Sequence, residues 1–468
     1  MSHLSISPSP PAPPAFPSPP AHLLLPNPLM TKPSPPTSEQ APEQLPESVS
    51  LWRPLANRNF RLLTIGESVS NLGDQFYFVA LPWLTLQLTG SPLDLGVVLM
   101  VVAIPRAILM ILGGALSDRF SPRIVMLTSN LLRAGLTAIL ATLTALQATQ
   151  LWHLYLLAFS FGVIEGFFSP AAEAIVPTLV SEEQLVASNV LGQSTNQLIL
   201  LIGPALAGGV IVATGVGTAF VIDAVSFVIS TVALWLIQQR PVTPVAYGVE
   251  SGPELSATPP IASDDVPALS LMAGISEGLR YSWRNRSLRT VFLALAALNF
   301  LFIGPLQVGI ATLANERFPA GALALGVMTS AWGAGGLLGT LLPQWLPRLP
   351  RLGVLMLVLA SLQGAGMVLL GILLTLPLAS LTIAILGGCS SFFVLVGTTW
   401  IQKTTPPEIL GRVMGIGLLS SIGVAPFSYA LAGILASVNP LVLFAGTGMA
   451  MLAVNIMLAV NPVVRTLE

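Results

Sequence analysis

The chain has 468 residues, 53% of them hydrophobic and only 8% charged, with a net charge of −1. A water-soluble domain carries roughly 25% charged residues, so this composition, with a mean hydropathy of +0.81, places the chain in a lipid bilayer. Two lysines (Lys32, Lys403) provide no basic face for nucleic acid, the single Cys389 excludes intrachain disulfides and thiolate clusters, and His153 has only the tail residues His3 and His22 for company, which excludes a histidine metal site.

In chain order, residues 1–52 read as a Pro-rich cytoplasmic tail. The first 50 residues hold 15 prolines and no long apolar run, a disordered, polyproline-like composition. The tail lacks the apolar core and cleavage site of a signal peptide, and Met30 is a second candidate start. From Arg61 onward come twelve apolar segments, each near the ~20 residues of a bilayer crossing. They cover about 61–87, 94–116, 124–146, 151–172, 188–213, 217–237, 289–313, 322–344, 352–375, 378–400, 413–436 and 440–460. The expected fold is an all-α integral membrane protein. It has a six-helix bundle at 53–237, a cytoplasmic linker at 238–288 and a second six-helix bundle at 289–462. In the linker, Leu271, Ile275 and Leu279 recur every four residues among Arg280, Arg284 and Arg286, the pattern of an amphipathic helix on a membrane surface. The nearest approach to a phosphate-binding loop, Gly397 to Thr404, has Gln402 where a glycine is needed and follows an apolar helix. Neither ATP nor any other cofactor is expected, and no enzyme chemistry.

Arginine and lysine set the orientation. Lys32, Arg53, Arg58 and Arg61 precede the first segment and Arg465 follows the last. Arg119, Arg123, Arg240, Arg280, Arg284, Arg286, Arg289, Arg348, Arg351, Lys403 and Arg412 occupy the connections after the second, sixth, eighth and tenth segments. These are sixteen of the nineteen, with Arg317 alone opposite and Arg106 and Arg133 inside segments. Both termini are expected in the cytoplasm, in a plasma (inner) membrane. An internal repeat supports the six-plus-six division. Glu183-Gln-Leu185 and Ala205-Leu-Ala-Gly208 recur as Glu408-Ile-Leu410 and Ala430-Leu-Ala-Gly433, each offset by 225 residues. Two parallel halves of this kind place a substrate site between them near the midplane.

A carboxylate in hydrocarbon costs about 2.5–3.5 kcal/mol on insertion scales, so each one needs a reason to be there. The first segment carries Glu67 and Asp74, with Asn71 between them, and the spacings put all three on one helical face. Asp74 falls close to the midplane, where a carboxyl group can change protonation as water access alternates. The alternative is a structural polar seam in which Asp74 is locked to Arg106 in the second segment. Glu165 in the fourth segment could answer Arg133 in the third. Asp223 in the sixth lies near the outer end, where hydration alone could account for it. For both, a coupling role and a structural one stay open.

The connection after the second segment reads Gly113-Gly114-Ala-Leu116-Ser-Asp118-Arg119-Phe-Ser-Pro-Arg123. It resembles motif A of the major facilitator superfamily through Gly114, Leu116, Asp118, Arg119 and Arg123, with Ser121 and Pro122 replacing the family's Gly and Arg. The resemblance implies a cytoplasmic latch. Asp118 would face the N-terminal dipole of the eleventh helix, and Arg119 and Arg123 would pair with Glu173, Glu182 or Glu183. Further stretches are similar to the branch holding macrolide efflux proteins and the enterobactin exporter. They are Asn71-Leu-Gly-Asp74 with Ala80-Leu-Pro82, Leu88-Thr-Gly-Ser91, Pro105-Arg106, Glu277-Gly-Leu-Arg280 and Pro407-x-x-Leu-Gly-Arg412-Val. In the fifth segment Gly203-Pro204-Ala-Leu-Ala-Gly208 is one residue longer than the family's antiporter motif, and small-residue packing explains it equally well.

The resemblance implies a secondary transporter, with proton-coupled export of an amphipathic small molecule, either a macrolide-like drug or a siderophore, by a monomer. Asp74 with Glu67 would carry the proton, and Arg106 would tune it or hold an anionic substrate group. The substrate cavity is expected between the first, fourth, seventh and tenth helices, with Asn299 and Gln307 as polar lining. A lipid flippase or importer on the same fold, and a non-transporting sensor or scaffold, are the alternatives.

Overall fold

The computed structural model describes residues 51–117, 121–238, 277–345 and 351–465. A short 3-10 turn, Arg53–Ala56, leads into α1 (Arg58–Thr89), α2 (Pro92–Ser117), α3 (Pro122–Ala145), α4 (Leu151–Leu179), α5 (Glu182–Thr214) and α6 (Val216–Trp235). A helix over 277–284, α7, precedes α8 (Arg286–Glu316), α9 (Ala322–Leu341), α10 (Leu352–Ile372), α11 (Leu376–Thr404), α12 (Pro407–Ile422), α13 (Ala425–Val438), α14 (Pro440–Val460) and the short α15 (Pro462–Arg465). Eleven of the described spans are long and apolar enough to cross a membrane, α12 and α13 forming one of them (Ile409–Val438). The twelfth crossing is α1. Its 32 residues are long enough, but Glu67, Asn71, Asp74 and Gln75 dilute its hydropathy.

Local chemistry explains the ends. The Asn57 side chain accepts the Asn59 and Phe60 amides (2.9 and 3.5 Å) and so starts α1, and Asn285 does the same for α8 through Ser287 and Leu288. Gly90, at φ +64°, closes α1 in the left-handed conformation that glycine adopts without strain. α5 begins six residues before its expected start of 188 because Glu182 and Glu183 sit in its first turn, where the helix dipole favours acids. Of the expected linker helix, Leu271 and Ile275 lie outside the described residues. In α7, Leu279 and Trp283 point outward one turn apart, Ser282 is buried, and Glu277 pairs with Arg412 at the start of α12.

The two halves pack by the same plan. In the first, α1 packs on α5 and α6, α2 on α4, and α3 on α4 and α6. In the second, α8 packs on α13 and α14, α9 on α11, and α10 on α11 and α14, so each pairing has its counterpart six crossings on. The halves meet through α5 against α9 and α2 against α13, which exchange under the same relation. Small residues permit this contact: a Cβ at Gly326 would run into the Pro204 carbonyl, and one at Gly96 would meet Tyr429 O at 2.6 Å. The interhalf contacts gather toward the end remote from Arg58 and Arg61. There Gln87 Nε2 donates to Asn315 Oδ1 (3.0 Å) and Trp83 covers Gly321. The opposite end of α5 carries Asn189, Gln193 and Asn196, all exposed. Around the outside, Ile108, Ile139, Val212, Leu362, Phe427 and Ile456 are exposed, part of an apolar surface suited to lipid rather than water.

Candidate functional site

Two of the sequence-predicted acids of the first half, Asp74 and Glu165, converge inside its bundle on one arginine. Arg133, from the middle of α3, is 1% exposed. Its Nη1 lies 3.1 Å from Glu165 Oε2 on α4 and 3.8 Å from Asp74 Oδ2 on α1, and its Nη2 donates to Asn130 Oδ1 at 2.9 Å. Asn130 in turn donates to Ser230 Oγ on α6 (2.9 Å). The guanidinium lies 3.8 Å from the Phe168 ring centroid and 4.7 Å from that of Phe227. A cation buried this deeply is held by charge, hydrogen bonds and ring faces together.

Arg106 on α2 approaches the other oxygen of Glu165 (Nη2 to Oε1, 3.9 Å) and keeps 39% of its side chain exposed. Asp74 therefore pairs with Arg133 and not with Arg106, so the alternative of an Asp74–Arg106 lock does not form; Arg106 is engaged by Glu165. Asp223 also differs from expectation. It is fully buried, with neither carboxylate oxygen hydrogen-bonded, because α6 lies against α1 where Gly73 leaves room. A Cβ at Gly73 would collide with Ser226 and come within 3.0 Å of Asp223 Oδ1. Glu67 Oε1 and Asp74 Oδ1 are buried without a hydrogen-bond partner as well. Asn71 is half-buried, and its carbonyl accepts from Gln75 Nε2 (3.5 Å). Of these four carboxyl groups, Glu165 pairs with both guanidiniums and Asp74 with that of Arg133.

The other half of the arrangement is a central cavity of about 470 Å³. Gln75 and Tyr77, one and three residues after Asp74, face it from α1, and Asn299 and Gln307 face it from α8. α2, α5, α9 and α11 complete the lining, whereas α4 contributes none, so the expected four-helix lining is corrected to one that includes the interhalf helices. The helix-5 motif sits at that interface. Gly203 packs on Gln75, Gly208 abuts Ala322, and the amide of Ala205 donates to Ser330 Oγ on α9 (2.9 Å). Of the expected latch, Gly114 falls near the end of α2, while Asp118 and Arg119 lie outside the described residues. Arg123 does not reach Glu173, Glu182 or Glu183. It donates to the Leu234 and Trp235 carbonyls (2.8 and 2.7 Å) at the end of α6, where a cation is favoured by the helix dipole.

Sequence reasoning missed Asn130, Ser230 and the central place of Arg133. The available signal was Asn130 one helical turn before Arg133, a polar pair inside a membrane-spanning helix.

Twelve crossings in two like-packed halves around a central cavity define a multi-pass membrane transporter rather than an enzyme. The sequence pattern of the Major Facilitator Superfamily matches residues 63–428, and the chain belongs to that family. Its relatives include the multidrug efflux pump Tap of Mycolicibacterium fortuitum, 27% identical over 87% of this chain and 96% of that one. Macrolide efflux protein A of Streptococcus pyogenes is 22% identical (83% and 92% covered), and the enterobactin exporter EntS of Shigella boydii is 24% identical (85% and 90%). Among solved structures, a bacterial homologue of the iron transporter ferroportin in its inward-facing state superposes with a TM-score of 0.61 at 18% identity, over 86% of this chain and 98% of that one.

Proposed function

We propose that the chain is a proton-driven exporter of amphipathic organic compounds, macrolide-like drugs or siderophores. It would act as a monomer in the plasma membrane with both termini cytoplasmic. The observation that carries this reading is the buried cluster on Arg133, with its excess of carboxyls, one residue away along α1 from the cavity-facing Gln75. Asp74 is the proton carrier, with Glu67 and Asp223 as further proton sites. Glu165 bridges Arg133 to Arg106, whose side chain is 39% exposed. The bundles at 53–237 and 289–462 rock about the α5–α9 and α2–α13 seams, and the Arg-rich face, with the exposed first half of α5, is cytoplasmic. The efflux activities in the relatives' names support the outward direction.

The test is efflux from cells expressing the chain, across macrolides, ethidium and a catecholate siderophore, with and without a protonophore. Export abolished by the protonophore is the expected result. Protonophore-insensitive export, or transport of a lipid or nutrient inward instead, overturns the reading.

A further inference from the structure

The second half holds a cavity of its own, about 230 Å³, lined by α8, α10, α11, α12, α14 and Val464 of α15, and open on one side where Val394 and Leu418 are exposed. Leu298, Met356, Phe393 and Met414 dominate its walls, and none of its lining residues is charged. An apolar cavity of about 150 Å³ takes a benzene ring, so this one has room for a somewhat larger hydrophobic group.

Two features separate it from a packing gap. The first is Asn455 on α14, which lines the cavity and is 5% exposed. Its Nδ2 donates to the Leu357 carbonyl (2.7 Å) and to Ser361 Oγ (2.5 Å). A carbonyl partner fixes which end of the amide is nitrogen, and this leaves Oδ1 buried with no donor. An acceptor in that condition is destabilising until something supplies a hydrogen bond. The second is the wall shared with the central cavity. Asn299 lines the central cavity and Ser421 lines this one, and Asn299 Nδ2 donates to Ser421 Oγ at 3.1 Å. One side-chain hydrogen bond therefore links the linings of the two spaces.

We propose that this cavity is a subsite for the apolar end of the transported compound: a compact hydrophobic group bearing a hydroxyl or amine that donates to Asn455 Oδ1. The proposal rests on the transporter reading above and adds where the hydrophobic part of the cargo sits. A lipid acyl chain fits the apolar walls but carries no donor for Asn455, whereas an amphipathic drug carries both. The compound then spans the Asn299–Ser421 contact, its polar end in the central cavity beside Gln75 and Gln307 and its apolar end in the second half.

The test has two arms on purified full-length chain in lipid nanodiscs or proteoliposomes. In the first, wild-type protein is photolabelled with trifluoromethyl-diazirinyl benzyl alcohol, a compact ring with one hydroxyl, and the adducts are mapped by mass spectrometry. Label on Met356, Phe393 or Met414 that excess ethidium or erythromycin displaces is the expected result. Label there that neither displaces marks a lipid site and overturns the proposal, as does absence of label. In the second arm, Gly397→Phe fills the cavity, since the nearest side chain to a Cβ at Gly397 is the flexible end of Met356 at 3.3 Å. Its KM for the exported compound is expected to rise at least tenfold. An unchanged KM overturns the subsite while leaving proton-driven export standing. Wild-type protein that binds the competitors but does not export them removes the transport reading instead.

Discussion

Arg133 Nη1 on α3 and Glu165 Oε2 on α4 lie 3.1 Å apart in the interior of the first bundle, and this pair organises the acids around it. Asp74 joins from α1 on the same nitrogen, and Arg106 from α2 on the other oxygen of Glu165. Four helices are tied together by two guanidiniums and two carboxylates. Breaking a buried pair by removing one partner costs about 3–5 kcal/mol, because the remaining charge is stranded.

Arg133→Leu is accordingly expected to destabilise the protein strongly in detergent, by an amount in that range. Arg133→Lys keeps the charge but loses the fork that reaches Asn130 and Glu165 at once, so its loss should be smaller. Thermal unfolding followed by tryptophan fluorescence checks both. A melting curve for Arg133→Leu that overlays the wild type would show that Arg133 is not the hub.

Asp74→Asn replaces one proton site with a group of nearly the same shape. The fold is expected to hold, because Glu165 still pairs with Arg133. In proteoliposomes the variant should move substrate down its own gradient yet fail to concentrate it when a pH gradient is imposed. Uphill transport at wild-type level would assign the coupling elsewhere, with Asp223→Asn as the next variant to measure.

The α5–α9 seam depends on close backbone approach. A side chain at Gly326 has no space against the Pro204 carbonyl. Gly326→Val should therefore pry apart the end where Gln87 meets Asn315. A Gln87→Cys/Asn315→Cys pair reports this: oxidation is expected to crosslink the two residues readily in the otherwise native chain and to stop transport. The same pair should crosslink several-fold more slowly with Gly326→Val. Equal crosslinking rates would mean that the seam does not hold this end closed.

The sequence was most legible where physics acts on a single helix. Twelve apolar runs, the midmembrane acids on α1 and the 225-residue repeat all follow from composition and spacing, and the matched packing of the halves agrees with them. Partner choice across helices was not legible. Arg106 and Arg133 are each one arginine in an apolar run, and only the packing of α1, α3 and α4 decides that Asp74 meets Arg133. For Asp223 the sequence left hydration, coupling and a structural role open, because its environment is set by Gly73 on another helix. The repeat also shows how the halves have diverged. Asn299 and Ser390 stand 225 residues beyond Asp74 and Glu165. Both line the central cavity, so the second half presents neutral polar groups at the positions where the first carries acids.

The most direct test of the account is the proton balance of substrate binding itself. Purified protein in weakly buffered detergent solution is mixed with a compound found to be exported, and a pH-sensitive dye follows the proton. If substrate and proton exchange at the Arg133 cluster, wild-type protein releases protons on binding and Asp74→Asn releases markedly fewer at equal occupancy. Binding without proton release, or equal release from the Asp74→Asn variant, would contradict the account.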